Sequence, residues 1–340
     1  MPVGEPRVMD RRRFVTAAAG VLLGVPRIGR AQPTGKAPKI GWLGGGAGRS
    51  AAEMQRSTQF KAFADGLREH GYVVGRDVSV ELRMVRPDKV EQYHDFAARL
   101  AAEADVILAA NPFSLAAATR ATRTVPIVGL DMESDPVRQG WAATLARPGG
   151  NVTGFFLDMP EMSGKHVEFV KIVKPSLARL AVLGDPRLNA LQFEVTDGAA
   201  RDAGLALERL AVQSPDEIEG AIAEAARRGA GALVVFTSPL INSALPRIAR
   251  AAVKHRMPSI CAFAPLFAEA GGLMAYGPDF HELYRRTGAY VARILKGSAP
   301  GDLPMQRPEK FLLVINLRTA RALGVTLPPS FLRRSDHVIE

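Results

Sequence analysis

The order in which short apolar runs and amphipathic segments succeed each other constrains this chain more than any other feature. From Pro38 onward, apolar runs bounded by turn formers alternate with longer stretches whose apolar residues recur at helical spacing. Residues 40–43 read as a strand, 51–70 as a helix stopped by Gly71, and 78–84 as a second strand. A helix over 90–103, a strand over 106–109, a helix over 114–122 and a strand over 127–130 continue the beat, with a further helix expected over 135–146. Alternation of this kind demands parallel strands joined by right-handed helical crossovers, because a parallel pair cannot be closed by a tight turn.

Ala146-Arg147-Pro148-Gly149-Gly150-Asn151 is a cluster of chain breakers, after which the pattern restarts. Helices are expected over 161–173, 190–203, 215–228 and 243–255, and strands over 180–183, 206–210, 232–236 and 259–262. The result is two α/β units in tandem, each a doubly wound sheet. Beyond Gly271-Gly272 lie an apolar run at 273–276, an amphipathic helix over 280–295 closed by Gly297, and an apolar run at 311–315. These exceed what the second unit needs, so the chain is expected to cross back and make a hinged pair. One lobe then comprises 38–153 with about 277–308 and the other 154–276, while the strand and helix of 309–340 could join either.

The N-terminus carries Arg11-Arg12-Arg13, an uncharged run over 14–25 too short to span a bilayer, and small residues at Gly29 and Ala31. That is the plan of an export signal, 1–31, with cleavage expected after Ala31 and the mature chain in the periplasm. Arg11-Arg12-Arg13-Phe14-Val15 fits the twin-arginine pattern as well as an ordinary secretory signal, and Met9 would serve as a start. The formal charge of +10 suggests nucleic acid at first. Removing the signal takes away six arginines and two acids, leaving 38 basic and 32 acidic residues, and no block of five like charges remains. A nucleic-acid partner is therefore not expected. The lone Cys261 excludes an internal disulfide, and the six histidines show no metal-ligand spacing.

In doubly wound sheets ligands bind beyond the carboxyl ends of the strands, so the loops at 44–50, 111–114, 131–135, 185–189, 237–242 and 264–267 carry the expected site. The glycine-rich loop from Gly44 formally matches a dinucleotide fingerprint, but no acid stands about 20 residues on to hold a ribose. No Gly-Lys-Ser or Gly-Lys-Thr follows for phosphate. Two readings stay open: backbone N–H donors for a ligand carboxylate, or a tight turn only. Asp131, Glu133 and Asp135 crowd one loop, with Asp135 placed as a helix cap before Pro136. No nucleophile elbow and no H-E-x-x-H occurs, so neither catalysis nor a cofactor or metal is expected.

Leu145-Ala146-Arg147-Pro148-Gly149-Gly150-Asn151-Val152-Thr153-Gly154 resembles the central motif of a bacterial family of ABC-transporter substrate-binding proteins that includes tryptophan-binding importer components. The stretches 63–72, 124–128, 134–137, 163–165, 270–278, 294–297 and 311–327 resemble it in the same order, over essentially the whole mature chain. The resemblance implies the type I periplasmic-binding fold, two Rossmann-like lobes joined by three crossovers, and capture of a small solute for a permease in the inner membrane by a monomer. It implies cleft-lining residues at Gly45, Gly46, Asn111, Ser114, Asp131, Asp185, Asn189 and Ser238. The chain departs from the family at Asp185, where an asparagine is usual, and at the acid-rich Asp131-Met132-Glu133, which suggests carboxylates meeting a ligand amino group. A periplasmic enzyme or a ligand sensor on the same frame is the alternative.

Overall fold

The structure is a computed structural model that describes residues 37–340 apart from 46–49, 132 and 157–158. The expected export signal lies outside the described residues. The first sheet is built from β1 (Lys39–Gly45), β2 (Ser79–Val85), β3 (Val106–Ala109), β4 (Ile127–Asp131) and β5 (Val152–Phe156), in the order β2-β1-β3-β4-β5. All of its pairings are parallel, as the alternating pattern requires. Its helices are α1 (Ala51–Gln55), α2 (Thr58–Glu69), α3 (Gln92–Glu103) and α4 (Pro112–Ala121). Strands β1, β3, β4 and β5 are buried on both faces and so lack the polar alternation of a half-exposed sheet, which the edge strand β2 keeps at Glu81 and Arg83. Along β1, Ile40 and Trp42 point into one buried cluster with Phe60 and Phe63, while Leu43 points into the other with Tyr93 and Leu100.

The chain then enters a second sheet through α5 (Met159–Val173). There follow β6 (Arg179–Gly184), α6 (Ala190–Asp202), β7 (Ala206–Ala211), α7 (Glu217–Arg227), β8 (Ala232–Val235), α8 (Pro239–Ser243), α9 (Leu245–Lys254), β9 (Ser259–Cys261), α10 (Leu266–Glu269) and β10 (Met274–Pro278). It returns to the first sheet as α11 (Phe280–Leu295), then re-enters the second as β11 (Phe311–Asn316), α12 (Leu317–Leu323), α13 (Pro329–Leu332) and β12 (His337–Ile339). The second sheet has seven strands in the order β12-β11-β10-β9-β8-β6-β7, and only the pairing of β10 with β11 is antiparallel. The C-terminal strands thus pair in the second sheet. Among the described residues the sheets are joined after Phe156, after Pro278, and between Gln306 and Phe311.

Two contacts fasten the returning segment. Helix α11 lies on α2 so closely that a Cβ at Gly66 would overlap the Arg285 carbonyl, and one at Gly288 would overlap the Phe63 carbonyl. Arg285 also reaches across to Glu69 at 2.6 Å. Downstream, the segment after α11 is stitched to β5: the Thr153 hydroxyl donates to the Leu303 carbonyl at 2.7 Å, Gln306 N–H to Gly154 at 2.9 Å, and Phe156 N–H to Gln306 at 2.9 Å.

Several local expectations are corrected. Residues 135–146 form turns: Gly140 takes a left-handed φ of 71°, where a helix cannot continue, and the Trp141 and Ala142 N–H groups both turn back to the Pro136 carbonyl. The expected helix over 51–70 is two helices, because the Ser57 hydroxyl caps a new start by accepting the Phe60 N–H. The helix over 243–255 likewise breaks at Ala244 between α8 and α9. Strand β5 follows the breaker cluster at 146–151 directly and completes the first sheet, although five residues of Val-Thr-Gly-Phe-Phe carry little periodic signal.

Two predictions concern this frame. Ala at Gly66 or Gly288 should each cost about 1–3 kcal/mol through overpacking against backbone that cannot move alone, read as a lower Tm and midpoint of chemical unfolding. His166 is buried and donates from Nε2 to the Tyr276 carbonyl at 2.8 Å; burial holds its pKa down to about 4. Because the folded value lies below the ordinary 6.5, the unfolded chain binds the extra proton, and stability should fall as pH drops from about 6.5 to about 4. His166→Gln, which keeps a donor and cannot titrate, should flatten that part of a Tm-against-pH curve.

Candidate functional site

The carboxyl ends of the two sheets face each other across a cavity of about 470 Å³. That volume falls within the usual range of about 300–1,000 Å³ for a small-molecule site. From the first sheet come Gly44 and Gly45 at the end of β1, Met84 in β2, Asn111 at the start of α4, and Leu130 and Glu133 around the end of β4. Trp42 closes this wall, its indole between Phe60 (ring centroids 5.9 Å apart) and Tyr284 (5.5 Å), both nearly parallel to it. Tyr284 and Phe280 come from α11, so the returning helix supplies part of the apolar wall. From the second sheet come Thr237 after β8, Asn242 and Ser243 in α8, and Phe263, Leu266 and Glu269 after β9.

Contacts between the two halves hold the rim together. The Thr237 hydroxyl donates to Glu133 Oε1 at 2.9 Å, and the Arg187 guanidinium lies 5.7 Å over the Phe113 ring. Each joins the carboxyl-end side of one sheet to that of the other, the second through Phe113 in the first turn of α4, so the lobes meet across the cleft.

Of the residues expected at the site, Gly45 and Asn111 line the cavity. Gly46 lies outside the described residues. At Gly45 a side chain would overlap the Tyr93 hydroxyl and the Val85 carbonyl, which gives that glycine a packing reason. Asn111 spends its amide on structure: Oδ1 accepts the Ser114 N–H at 2.9 Å and Nδ2 donates to the Tyr93 hydroxyl at 3.0 Å. Ser114 completes the reciprocal cap of α4 by accepting the Asn111 N–H at 3.0 Å. Ser238 caps α8, accepting the Ile241 N–H at 3.2 Å.

The acids divide. Asp131 is fully buried; one oxygen accepts the Glu133 N–H at 2.9 Å and the Ser134 N–H at 3.1 Å, the other has no partner among the described residues, and burial raises its pKa. Asp185 is buried against its own neighbour: Arg187 Nε and Nη2 donate to its two oxygens at 2.9 and 2.7 Å, and this bond raises the guanidinium pKa. Asn189 ties the loop together, accepting the Asp185 N–H at 2.8 Å and donating to the Thr237 carbonyl at 3.0 Å. Asp131, Ser114, Asp185, Asn189 and Ser238 thus brace the loops, whereas Glu133, Thr237 and the aromatic wall face the cavity. Lining residues outside the loops expected to carry the site include Trp42, Met84, Phe280 and Tyr284. Trp42 stands inside a strand, and only the fold shows that the cavity opens beside its ring. Among the described residues no cluster of three or more His, Cys, Asp or Glu could hold a metal, and no helix is long and apolar enough to cross a membrane.

This cleft between two doubly wound lobes defines a type I periplasmic-binding protein. The family model described as ABC transporter substrate binding protein matches residues 54–339, and the chain belongs to that family. A curated relative, the tyrosine-binding protein of Clostridioides difficile strain R20291, is 26% identical over 269 residues, spanning 78% of this chain and 76% of its own length. Two solved structures, a conserved domain protein from Vibrio cholerae and an ABC domain from Streptococcus pneumonia in complex with L-Trp, each superpose with a TM-score of 0.79. Both are 26% identical and cover 89% of this chain and 100% of their own.

The Asp185 pair is directly testable. Arg187→Ala should cost about 1–3 kcal/mol by leaving a buried carboxylate without its cation, and adding Asp185→Asn should recover part of that loss in a thermal melt.

Proposed function

We propose that this protein is the exported solute-capturing component of an ABC importer, that it closes on an amino-acid-like ligand with a ring-bearing or large apolar side chain, and that it hands the ligand to a permease in the inner membrane. The observation that carries this reading is the division of the cavity wall. Trp42, Tyr284, Phe263 and Phe280 offer apolar surface to a side chain, while Glu133 and Thr237 bring a carboxylate and a hydroxyl to the same space. A ring gains from such surface by burial and offset stacking, and an ammonium gains from a carboxylate in a water-poor cleft. Relatives that bind tyrosine and hold L-Trp support the same class of ligand.

The mechanism follows from a hinge. A ligand that touches both lobes binds the closed form better than the open one, and only that difference drives closure. A micromolar ligand makes about 8 kcal/mol available, which exceeds the roughly 5.5 kcal/mol needed to convert a mostly open population into a mostly closed one. The protein itself would break no bond of its cargo.

Calorimetric titration of the purified mature protein with L-Tyr, L-Trp, L-Phe and L-Leu should give saturable binding to at least one of them. The emission of Trp42, one of two tryptophans in the chain, should change on binding. Preference for an anion with no cationic group would overturn the amino-acid reading. Fractionation of the native host should find the mature form in the periplasm, with its first residue Gln32.

A further inference from the structure

Two polar atoms beside the cavity have no hydrogen-bond partner in the described structure, and they come from opposite lobes. Trp42 Nε1 is a donor on β1 of the first sheet, within a side chain that is 0% exposed. Asn242 Oδ1 is an acceptor on α8, next to the second sheet, and its atom is also buried. Both residues line the cavity. Gly44 packs against the indole, where a Cβ would stand 3.1 Å from Nε1 and 3.4 Å from Cδ1. A buried donor and a buried acceptor left unpaired are each costly, more so than the net value of a made hydrogen bond.

Resting on the amino-acid reading above, we propose that Trp42 and Asn242 are the specificity pair of this cleft, the indole N–H holding an acceptor oxygen of the ligand and the amide oxygen holding a ligand N–H donor. The selected molecule carries both functions at its polar end, as a free amino acid does. The same pair couples binding to closure. In an open cleft each atom can be hydrated; closing without a ligand strips both of water and returns no bond. The closed empty form is therefore penalised on both walls, and a ligand bearing an acceptor and a donor removes both penalties together.

The test uses the mature protein, calorimetry and three probes that share a ring: L-phenylalanine, phenethylamine, which lacks the carboxylate acceptor, and 3-phenylpropionate, which lacks the amine donor. The wild type should bind L-phenylalanine at least tenfold more tightly than either analogue. Trp42→Phe keeps an aromatic ring and removes the N–H; it should weaken L-phenylalanine about tenfold more than it weakens phenethylamine. Asn242→Leu should weaken L-phenylalanine about tenfold while changing 3-phenylpropionate less than twofold. Gly44→Ala, whose Cβ would press on the indole at Nε1 and Cδ1 and shift it by a few tenths of an ångström, should reproduce the Trp42→Phe pattern and keeps the test open should that variant not fold. Equal binding of L-phenylalanine by wild type, Trp42→Phe, Gly44→Ala and Asn242→Leu would overturn this inference and leave the capture of amino acids standing. Absence of binding to L-phenylalanine, L-tyrosine, L-tryptophan and L-leucine by the folded wild type would overturn that reading and this inference with it.

Discussion

Gly66 and Gly288 let α2 and α11 meet with backbone almost against backbone, and the placement of the whole late part of the chain depends on that contact. Interiors are packed like crystals, so a helix held this closely to its neighbour has one position and not a range of them. Fixing α11 fixes Tyr284 and Phe280, which flank the cavity, and through the Tyr284 ring it fixes one side of the Trp42 indole. The segment that follows α11 is then sewn to β5 by main-chain bonds around Gly154 and Gln306. A helix encoded after much of the second lobe thus belongs physically to the first, and the cavity wall could not form without it.

The second wall is held by a different kind of physics. Asp185, Arg187 and Asn189 form a polar knot in which nearly every bond returns to the loops themselves. Through the Asn189 amide the knot reaches the Thr237 carbonyl, and the Thr237 hydroxyl in turn touches Glu133 of the facing lobe. Polar groups buried in this way cost free energy unless each is satisfied, so their main yield is a unique loop geometry. One wall is therefore set by apolar packing and the other by hydrogen bonding, and both aim their loops at the same space.

The strands and helices were legible because each half repeats an apolar run followed by a segment of helical spacing, and the tandem restart at 146–151 exposed the two units. What escaped was of two kinds. Residues 135–146 have the composition of a helix, but the left-handed turn at Gly140 overrides that preference, and β5 is too short and mixed to announce itself. Around the cavity, strand ends pointed to loops that surround it, yet residue type did not tell which bonds each side chain makes there. Asn111, Ser114 and Ser238 are the kinds of residue that cap helices as readily as they hold ligands, and here each has a bond of the first kind, while Asn189 ties its own loop together through the Asp185 N–H. Asp185 invited a role toward a ligand, but two residues on stands the arginine that neutralises it. Trp42 was invisible as a site residue because a tryptophan inside a strand looks like core, and by burial it is core.

The three passages of the chain between its sheets bear on how such a protein can be taken apart. Neither half is a continuous stretch of the polypeptide, since one is built from early and late segments and the other from the middle and the very end. Cutting the main chain at a single linker would leave the halves tethered by the remaining two. No single exon-like exchange could swap one half for another with a different ligand preference. New specificity in this architecture has to come by substitution of the residues that line the cavity, on strands and helices as well as loops.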